Sequence, residues 1–263
     1  MGISKTTVFI LLISSYSFLQ LSCLDDSFDQ NFVIDIGIFS GEGAWEESVT
    51  ALEGAFTEMD FSFELFDVSY LLSENLLRYK SIVLPGGDPR TYSTSLGNIG
   101  RKYLRSYVEY GGSFIGFGGG AAVADADSGI WAGIGFFDGD AVWPVDRIAP
   151  HPEYTLTEIV LSKSDHELAF GGRNRYVTLY RWGPEFHIRN HFGVEIVYSY
   201  ELTGTAALIT GTFGSGVVVL CGCNIEFEEN SMRDGTDFGS ELQDPESEWD
   251  LLERIVEYGL GEY

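Results

Sequence analysis

The chain of 263 residues contains few cysteines, histidines and basic side chains. Its three cysteines cannot build the disulfide framework that stabilises many small extracellular domains. Its four histidines lack the paired spacing of zinc ligands, so we expect no metal site. The 15 basic residues stand against 40 acidic ones, and the formal net charge of −25 repels nucleic-acid phosphates and anionic lipids. We therefore expect no nucleic-acid partner.

The composition and the apolar pattern predict one large α/β domain. Hydrophobic residues make up 44% of the sequence and aromatic residues 14%, which is enough to bury a substantial core. Apolar runs typical of buried strands alternate with helical patterns, and this alternation predicts a parallel sheet covered by helices. The predicted strands are 32–39, 61–67, 81–84 and 114–117; the predicted helices are 42–59, 71–77 and 98–109, with another beginning at 119. On helix 42–59 the apolar face comprises Trp45, Val49, Leu52 and Phe56.

The second half of the chain has a different pattern. Short β-branched and aromatic runs predict strands at 155–161, 176–179, 194–200, 206–210 and 216–220. The last two are predicted to form a hairpin through Gly214. An amphipathic pattern predicts a terminal helix, so that residues 248–263 pack on the domain.

The N-terminus has the features of an export signal. Lys5 supplies a positive start, and an apolar stretch beginning at residue 8 is too short to span a bilayer stably. We expect residues 1–23 to be a signal peptide and 24–31 a short linker, so that the protein is secreted or exported. The sequence 19–23, Leu-Gln-Leu-Ser-Cys, resembles a bacterial lipoprotein processing site, and lipidation of Cys23 would tether the domain to a membrane. Ordinary cleavage and lipidation both stay open.

Acidic side chains are concentrated near the C-terminus. Residues 225–250 hold ten of them and one arginine, which predicts a mobile acidic insertion at 230–247. Asp234, Asp237, Glu241 and Asp244 lack the spacing of an EF-hand loop, so we expect a solvated segment and no calcium site.

Residues 113–122, Ser-Phe-Ile-Gly-Phe-Gly-Gly-Gly-Ala-Ala, read as a buried strand that turns sharply into a helix. Hydrolases use this geometry to present a nucleophile flanked by small residues, with the next amide facing an oxyanion. Here the turn is Gly118-Gly119-Gly120, which offers no nucleophile.

Several short motifs follow one another along the chain. They are Leu84-Pro85-Gly86-Gly87, Tyr110-Gly111-Gly112, the elbow at 114–121, the segment 180–186 with Gly183-Pro184, the turn Gly214-Ser215-Gly216, and Gly222-Cys223-Asn224-Ile225-Glu226. In this order they resemble the class I glutamine amidotransferase-like superfamily, and within it the N-terminal domain of biotin-protein ligases. The resemblance covers roughly residues 33–229. It implies an α/β fold, a flavodoxin-like three-layer sandwich with a mostly parallel sheet and an added antiparallel hairpin region, in a domain at 32–229.

The resemblance places the family's catalytic triad on three residues. Gly118 takes the position of the nucleophilic cysteine, Asn224 that of the histidine, and Glu226 that of the acid that orients the histidine. Because Cys–His catalysis needs a thiolate and a base, the resemblance implies that this chemistry is lost.

What survives is a binding cradle in which backbone amides converge on a carbonyl oxygen or an anion. A second interpretation is that the glycines of the turn at 118–120 serve only to allow positive φ angles or close packing, without any role in binding. The expected cradle comprises Gly86, Gly87, Asp88, Gly119, Gly120, Trp182, Gly183 and Pro184.

Three functions remain open. The first is a binding module for a small carbonyl or anionic ligand or for a protein partner. The second is an active hydrolase or amidase that uses Cys223, or Glu226 and Asp88 with water. The third is a structural envelope protein. The glycine-rich segments lack the Gly-Lys-Ser/Thr of a phosphate loop and an acidic ribose-binding residue, so we expect no cofactor.

Overall fold

The computed structural model of the chain describes residues 34–73, 76–125, 129–244 and 246–262. The predicted signal peptide with Cys23 and the predicted linker 24–31 lie outside the described residues. Across the described ranges, no helix combines the length and the apolar character that crossing a membrane requires.

Five parallel strands form one half of a large sheet. Their near-continuous apolar sequences suit strands that are covered on both faces. The spatial order is β2 (Phe63–Phe66), β1 (Ile34–Phe39), β3 (Tyr79–Leu84), β4 (Ser113–Phe117) and β11 (Gly216–Cys221). Strand β4 pairs with β3 on one side and with β11 on the other, so its carboxyl end lies at the centre of the sheet.

Helices cover both faces of this half. On one face, α1 (Glu46–Glu58) and α5 (Trp249–Leu260) bury Leu52 and Ile255 against the strands in one apolar cluster. On the other face, α2 (Val68–Ser73) and α3 (Pro89–Glu109) contribute to a second cluster around Phe114. This arrangement confirms the predicted flavodoxin-like three-layer sandwich.

Helix α3 begins earlier than predicted. Asp88 caps its first turn by accepting a hydrogen bond from the Arg90 amide at 2.9 Å. Gly97, with a φ of 58°, then interrupts the helical geometry. The prediction started at 98 because this glycine and the Ser/Thr-rich run before it are weak helix formers. The first segment is stabilised by tertiary burial of Tyr92 and Leu96 instead.

The antiparallel half of the sheet is larger than the predicted hairpin region. Strand β10 (Ala206–Phe213) pairs with β11, as predicted, and continues the sheet. Two strands were not predicted, β5 (Gly139–Val142) and β8 (Glu185–Ile188), because four residues are too few to show an alternating pattern. Beyond β10 the order is β9 (Val194–Tyr200), β6 (Thr155–Leu161) and β7 (Arg175–Tyr180). Strand β8 also pairs with β10, and β5 pairs with β8.

The acidic segment is not solvated throughout, which corrects the expectation from its charge. Asp234 and Asp244 are buried, and so are the flanking Glu229 and Glu248. The backbone amides of the surrounding turns hold the segment, since Asp234 accepts hydrogen bonds from the amides of Glu228 at 3.0 Å and Thr236 at 2.9 Å. Asp237 and Glu241 are exposed, as expected.

Candidate functional site

Strand β4 ends in a sharp turn at Gly118, which opens the short helix α4 (Gly118–Ala122). Gly118 has a φ of 48°, in the left-handed region that favours glycine. A Cβ atom at Gly118 would lie 3.2 Å from Asn224 Nδ2 and 3.4 Å from Gly86 Cα. The two residues that the resemblance places at the nucleophile and histidine positions therefore face each other.

The two glycines that follow are required for close packing. A Cβ atom at Gly119 would lie 1.8 Å from the Gly87 carbonyl oxygen, and one at Gly120 would lie 2.3 Å from the Leu84 oxygen. No side chain fits at these distances without backbone movement. The packing interpretation of these two glycines thus has direct geometric support.

Asn224 and Glu226 form a buried hydrogen-bonded network with Ser48 of α1. The Ser48 hydroxyl donates to Glu226 Oε1 at 2.5 Å, and Asn224 Nδ2 donates to the same oxygen at 3.2 Å. Both residues are fully buried, and burial raises the pKa of Glu226 to about 7. The second oxygen, Glu226 Oε2, has no hydrogen-bond partner among the described residues. Glu226, which the resemblance places at the acid position, thus holds an amide and a hydroxyl instead of an imidazole.

Two of the amides in the expected cradle are already used. The Gly86 amide donates to Ser48 Oγ at 2.9 Å, and the Gly120 amide donates to the Pro85 oxygen at 3.2 Å. Gly183 is packed against the backbone of Gly222, since a Cβ atom there would lie 1.5 Å from the Gly222 oxygen.

A cavity of about 200 Å³ opens beside the elbow and not at it. Of the expected cradle, Gly87, Asp88 and Trp182 line it, whereas the other five residues do not. Its walls are formed by Gly43, Ala44, Trp45, Gly87, Asp88, Arg181 and Trp182. The role of the whole cradle in binding stays a prediction.

Arg181 is flanked by aromatic rings in this cavity. Its guanidinium carbon lies 3.8 Å from the ring centroid of Trp45 and 4.3 Å from that of Trp182. Outside this pair, Phe227 stacks on Trp45 at 4.9 Å and His151 stacks on Trp182 at 4.2 Å. The result is a layered arrangement of rings with one cation in its middle. Burial lowers the pKa of Arg181 from its ordinary value, although a guanidinium stays charged at neutral pH.

Residues 34–127 match the family model described as biotin-protein ligase, N terminal. No curated protein sequence matches the chain. Among solved structures, a glutamine amidotransferase from Thermotoga maritima is similar over 87% of this chain and 98% of its own, with a TM-score of 0.55 and 15% identity.

The chain has a glutamine amidotransferase-like fold. A ThuA-like protein from Bacteroides uniformis is similar over 84% of this chain and 89% of its own, with a TM-score of 0.52 and 12% identity. A cytoplasmic protein from Salmonella typhimurium is similar over 86% of this chain and 98% of its own, with a TM-score of 0.56 and 11% identity. At these identities the similarity establishes the fold.

Two of the alternative catalytic residues, Cys223 and Asp88, occupy unsuitable places. The Cys223 thiol is free and fully buried, and desolvation raises its pKa well above the ordinary value, which opposes thiolate formation. Asp88 is used as the cap of α3 and as the partner of Arg90 at 3.2 Å. Neither observation favours a reassigned nucleophile or base.

Trp45, Arg181 and His151 were missed as site residues. Trp45 was assigned to the apolar face of its helix, but it precedes α1 as the N-cap residue and lines the cavity. Arg181 and Trp182 stand together in the aromatic segment, which was the only signal of their shared role. In the described ranges, no group of three or more His, Cys, Asp or Glu side chains is arranged to hold a metal ion.

Proposed function

We propose that this amidotransferase-like domain has lost the Cys–His chemistry and acts as a ligand-binding module. The observation that carries the proposal is the position of Gly118. It occupies the elbow with a left-handed backbone and faces Asn224, yet it has no side chain to acylate. Asn224 has no titrating nitrogen near neutral pH, so it cannot act as a general base.

A binding role is supported by the cavity beside the elbow. It combines aromatic walls, a cation and a carboxylate in a small space, which is typical of sites that fix the orientation of a small ligand. A small carbonyl or anionic compound is the ligand class we propose, and a segment of a protein partner is the second candidate.

The catalytic assay is the test of this proposal. Purified protein should show no glutaminase activity and no acyl-enzyme adduct in intact-mass spectra after incubation with glutamine. Cys223→Ser serves as the matched control, because the only described thiols are at 221 and 223. Glutamine hydrolysis by the wild type that disappears in Cys223→Ser would replace the proposal with a reassigned enzyme.

We also propose that the domain is exported and that its signal peptide is removed, so that the mature chain begins at Cys23 or Leu24. The support is the Lys5-led apolar N-terminus and the sequence before Cys23. N-terminal sequencing and intact mass of the protein from its native host would distinguish the two processing routes. A diacylated Cys23 residue indicates lipidation, and an unmodified start near residue 24 indicates ordinary cleavage.

A further inference from the structure

Arg181 differs from every other described arginine in having no polar partner for its side chain. Its guanidinium makes no hydrogen bond or ion pair with any described residue, although the chain carries 40 acidic residues. Its backbone amide is used, donating to Asn224 Oδ1 at 3.2 Å. Each of the other arginines donates to a carboxylate, a hydroxyl, an amide oxygen or a carbonyl.

The aromatic rings explain how the charge is held without a polar partner. Trp45 and Trp182 contact the flat guanidinium through its π system, at 3.8 and 4.3 Å from their centroids, and Phe238 lies 5.1 Å away. Such contacts stabilise the cation but leave the five in-plane N–H donors without acceptors. The donors are therefore positioned and available.

Trp182 supplies a second, independent indication. Its indole Nε1 is buried and has no hydrogen-bond partner in the described part of the chain. Its backbone has a φ of 54°, a left-handed conformation that is rare for a bulky residue. Backbone strain of this kind is concentrated at active sites and ligand-binding sites.

The available donors define the chemistry of the ligand. A guanidinium presents its N–H groups as a planar fork, which matches a carboxylate bidentately. A phosphate is disfavoured, because no second cation lines the cavity and the protein carries a net charge of −25. Asp88, the one acidic residue in the wall, is paired with Arg90 and does not neutralise Arg181. The volume of about 200 Å³ admits a small molecule or the end of a chain.

We infer that Arg181, held between Trp45 and Trp182, is the anchoring residue for a small planar carboxylate. The inference rests on the proposed binding function and names the ligand class at that cavity. The carboxylate belongs either to a free small acid or to the C-terminus of a peptide, and the two sources share the same recognition chemistry.

Benzoate and its neutral isostere benzamide are the first pair of probes, measured by calorimetry and by tryptophan fluorescence. We expect saturable benzoate binding that is at least tenfold tighter than benzamide binding, as the loss of a charge-assisted pair predicts. The peptide Gly-Gly-Phe with a free or an amidated C-terminus is the second pair. Tighter binding of the free peptide than of benzoate identifies a chain terminus as the source, and the reverse identifies a free acid.

Variants separate recognition from packing. Arg181→Gln should weaken benzoate binding at least tenfold, and Arg181→Lys, which keeps the charge but loses the fork, should weaken it severalfold. Arg189→Gln is the matched control, because Arg189 is an exposed arginine that does not line the cavity and pairs with Asp138 and Asp140.

Equal affinity for benzoate and benzamide, or unchanged benzoate binding in a folded Arg181→Gln, would overturn the inference. Absence of binding by both carboxylate probes would overturn it as well. Binding of the two probe pairs to the wild-type protein tests the inference even if a variant fails to fold. Because these are equilibrium binding measurements, their failure is distinguishable from that of the proposed loss of catalysis, which would appear as glutamine turnover.

Discussion

Gly118 and Asn224 face each other across the elbow, with a Cβ position at Gly118 lying 3.2 Å from Asn224 Nδ2. A side chain at position 118 would therefore meet the Asn224 amide at its first atom. The two positions that the resemblance assigns to a catalytic pair are thus adjacent in the fold, and substitutions at them test the proposed loss of chemistry.

A cysteine at position 118 alone should not give glutaminase activity, and a histidine added at position 224 should lower the pKa of the new thiol. In Gly118→Cys, Asn224 cannot accept the proton, so we expect no glutaminase activity and slow alkylation of the new thiol. In Gly118→Cys/Asn224→His, an imidazole beside the thiol should lower its pKa and speed alkylation near neutral pH. The rate of iodoacetamide reaction against pH measures this, with Cys223→Ser as the background. Identical pH profiles for the single and double variants would show that the two positions do not interact.

Gly119→Ala should destabilise the protein strongly. Its new methyl group would meet the Gly87 oxygen at 1.8 Å, so the backbone must move, at a cost on the order of 3 kcal/mol. Gly204→Ala is the control, since nothing lies within 4 Å of its Cβ position and only its positive φ is penalised, by about 1 kcal/mol. Urea denaturation midpoints give the comparison. A mild effect at Gly119 equal to that at Gly204 would contradict the close packing.

Rising pH should destabilise the protein. Burial raises the pKa values of Glu226, Glu229 and Glu248 to about 7, about 8 and about 10, from 4.5. The unfolded chain ionises these carboxyls above pH 4.5, whereas the folded protein still binds the protons. Stability that is fully present below the unfolded pKa is thus lost as the pH rises toward the folded values, by about 1.4 kcal/mol per pH unit and group. We expect the Tm to fall steadily between about pH 5 and about pH 8.

Glu248→Gln isolates one of these groups. Because glutamine resembles the protonated side chain, the variant should raise the Tm near pH 8 and leave it almost unchanged near pH 4, since these two values lie on either side of the unfolded pKa of 4.5. Glu253→Gln on the exposed side of α5 is the matched control and should change neither value. A Tm lowered at both pH values would mean that Glu248 is ionised and stabilised in the folded protein.

Salt should strengthen carboxylate binding. The acidic surface repels an anion at long range, and this repulsion is screened as the Debye length shrinks from about 30 Å at 0.01 M to about 8 Å at 0.15 M ionic strength. The contact with Arg181 is much shorter than either length and is partly shielded from solvent, so it is screened less. Benzoate affinity measured at the two salt concentrations should rise, while benzamide affinity should stay constant. Weaker benzoate binding in salt would place the anion at an exposed cation instead.

Four of the five parallel strands, β1 to β4, were predictable because each is a local apolar run followed by a helical pattern, whereas β11 was predicted only as one arm of a hairpin. The position of Gly118 at the end of β4 followed from the same rhythm. The cavity was not predictable, since it joins Trp45, at the start of α1, to Arg181, which follows β7. Trp45 and Arg181 come together only in the folded chain, and no hydrophobic periodicity in the sequence indicates their contact. The burial of Asp234 and Asp244 was missed for a related reason: a count of charges does not show which turn amides will solvate a carboxylate.

Strand β11 lies between β4 and β10, although it is among the last elements of the chain. The segment 34–127, which matches the family model, therefore ends before the strand that covers one side of β4. A protein truncated there would leave the backbone of β4 unpaired at a sheet edge and would lack Glu226, the partner of Ser48 from 178 positions away. The segment that matches the family model is thus smaller than the unit that can fold. A fragment made to study the turn at Gly118 must therefore include the chain through α5.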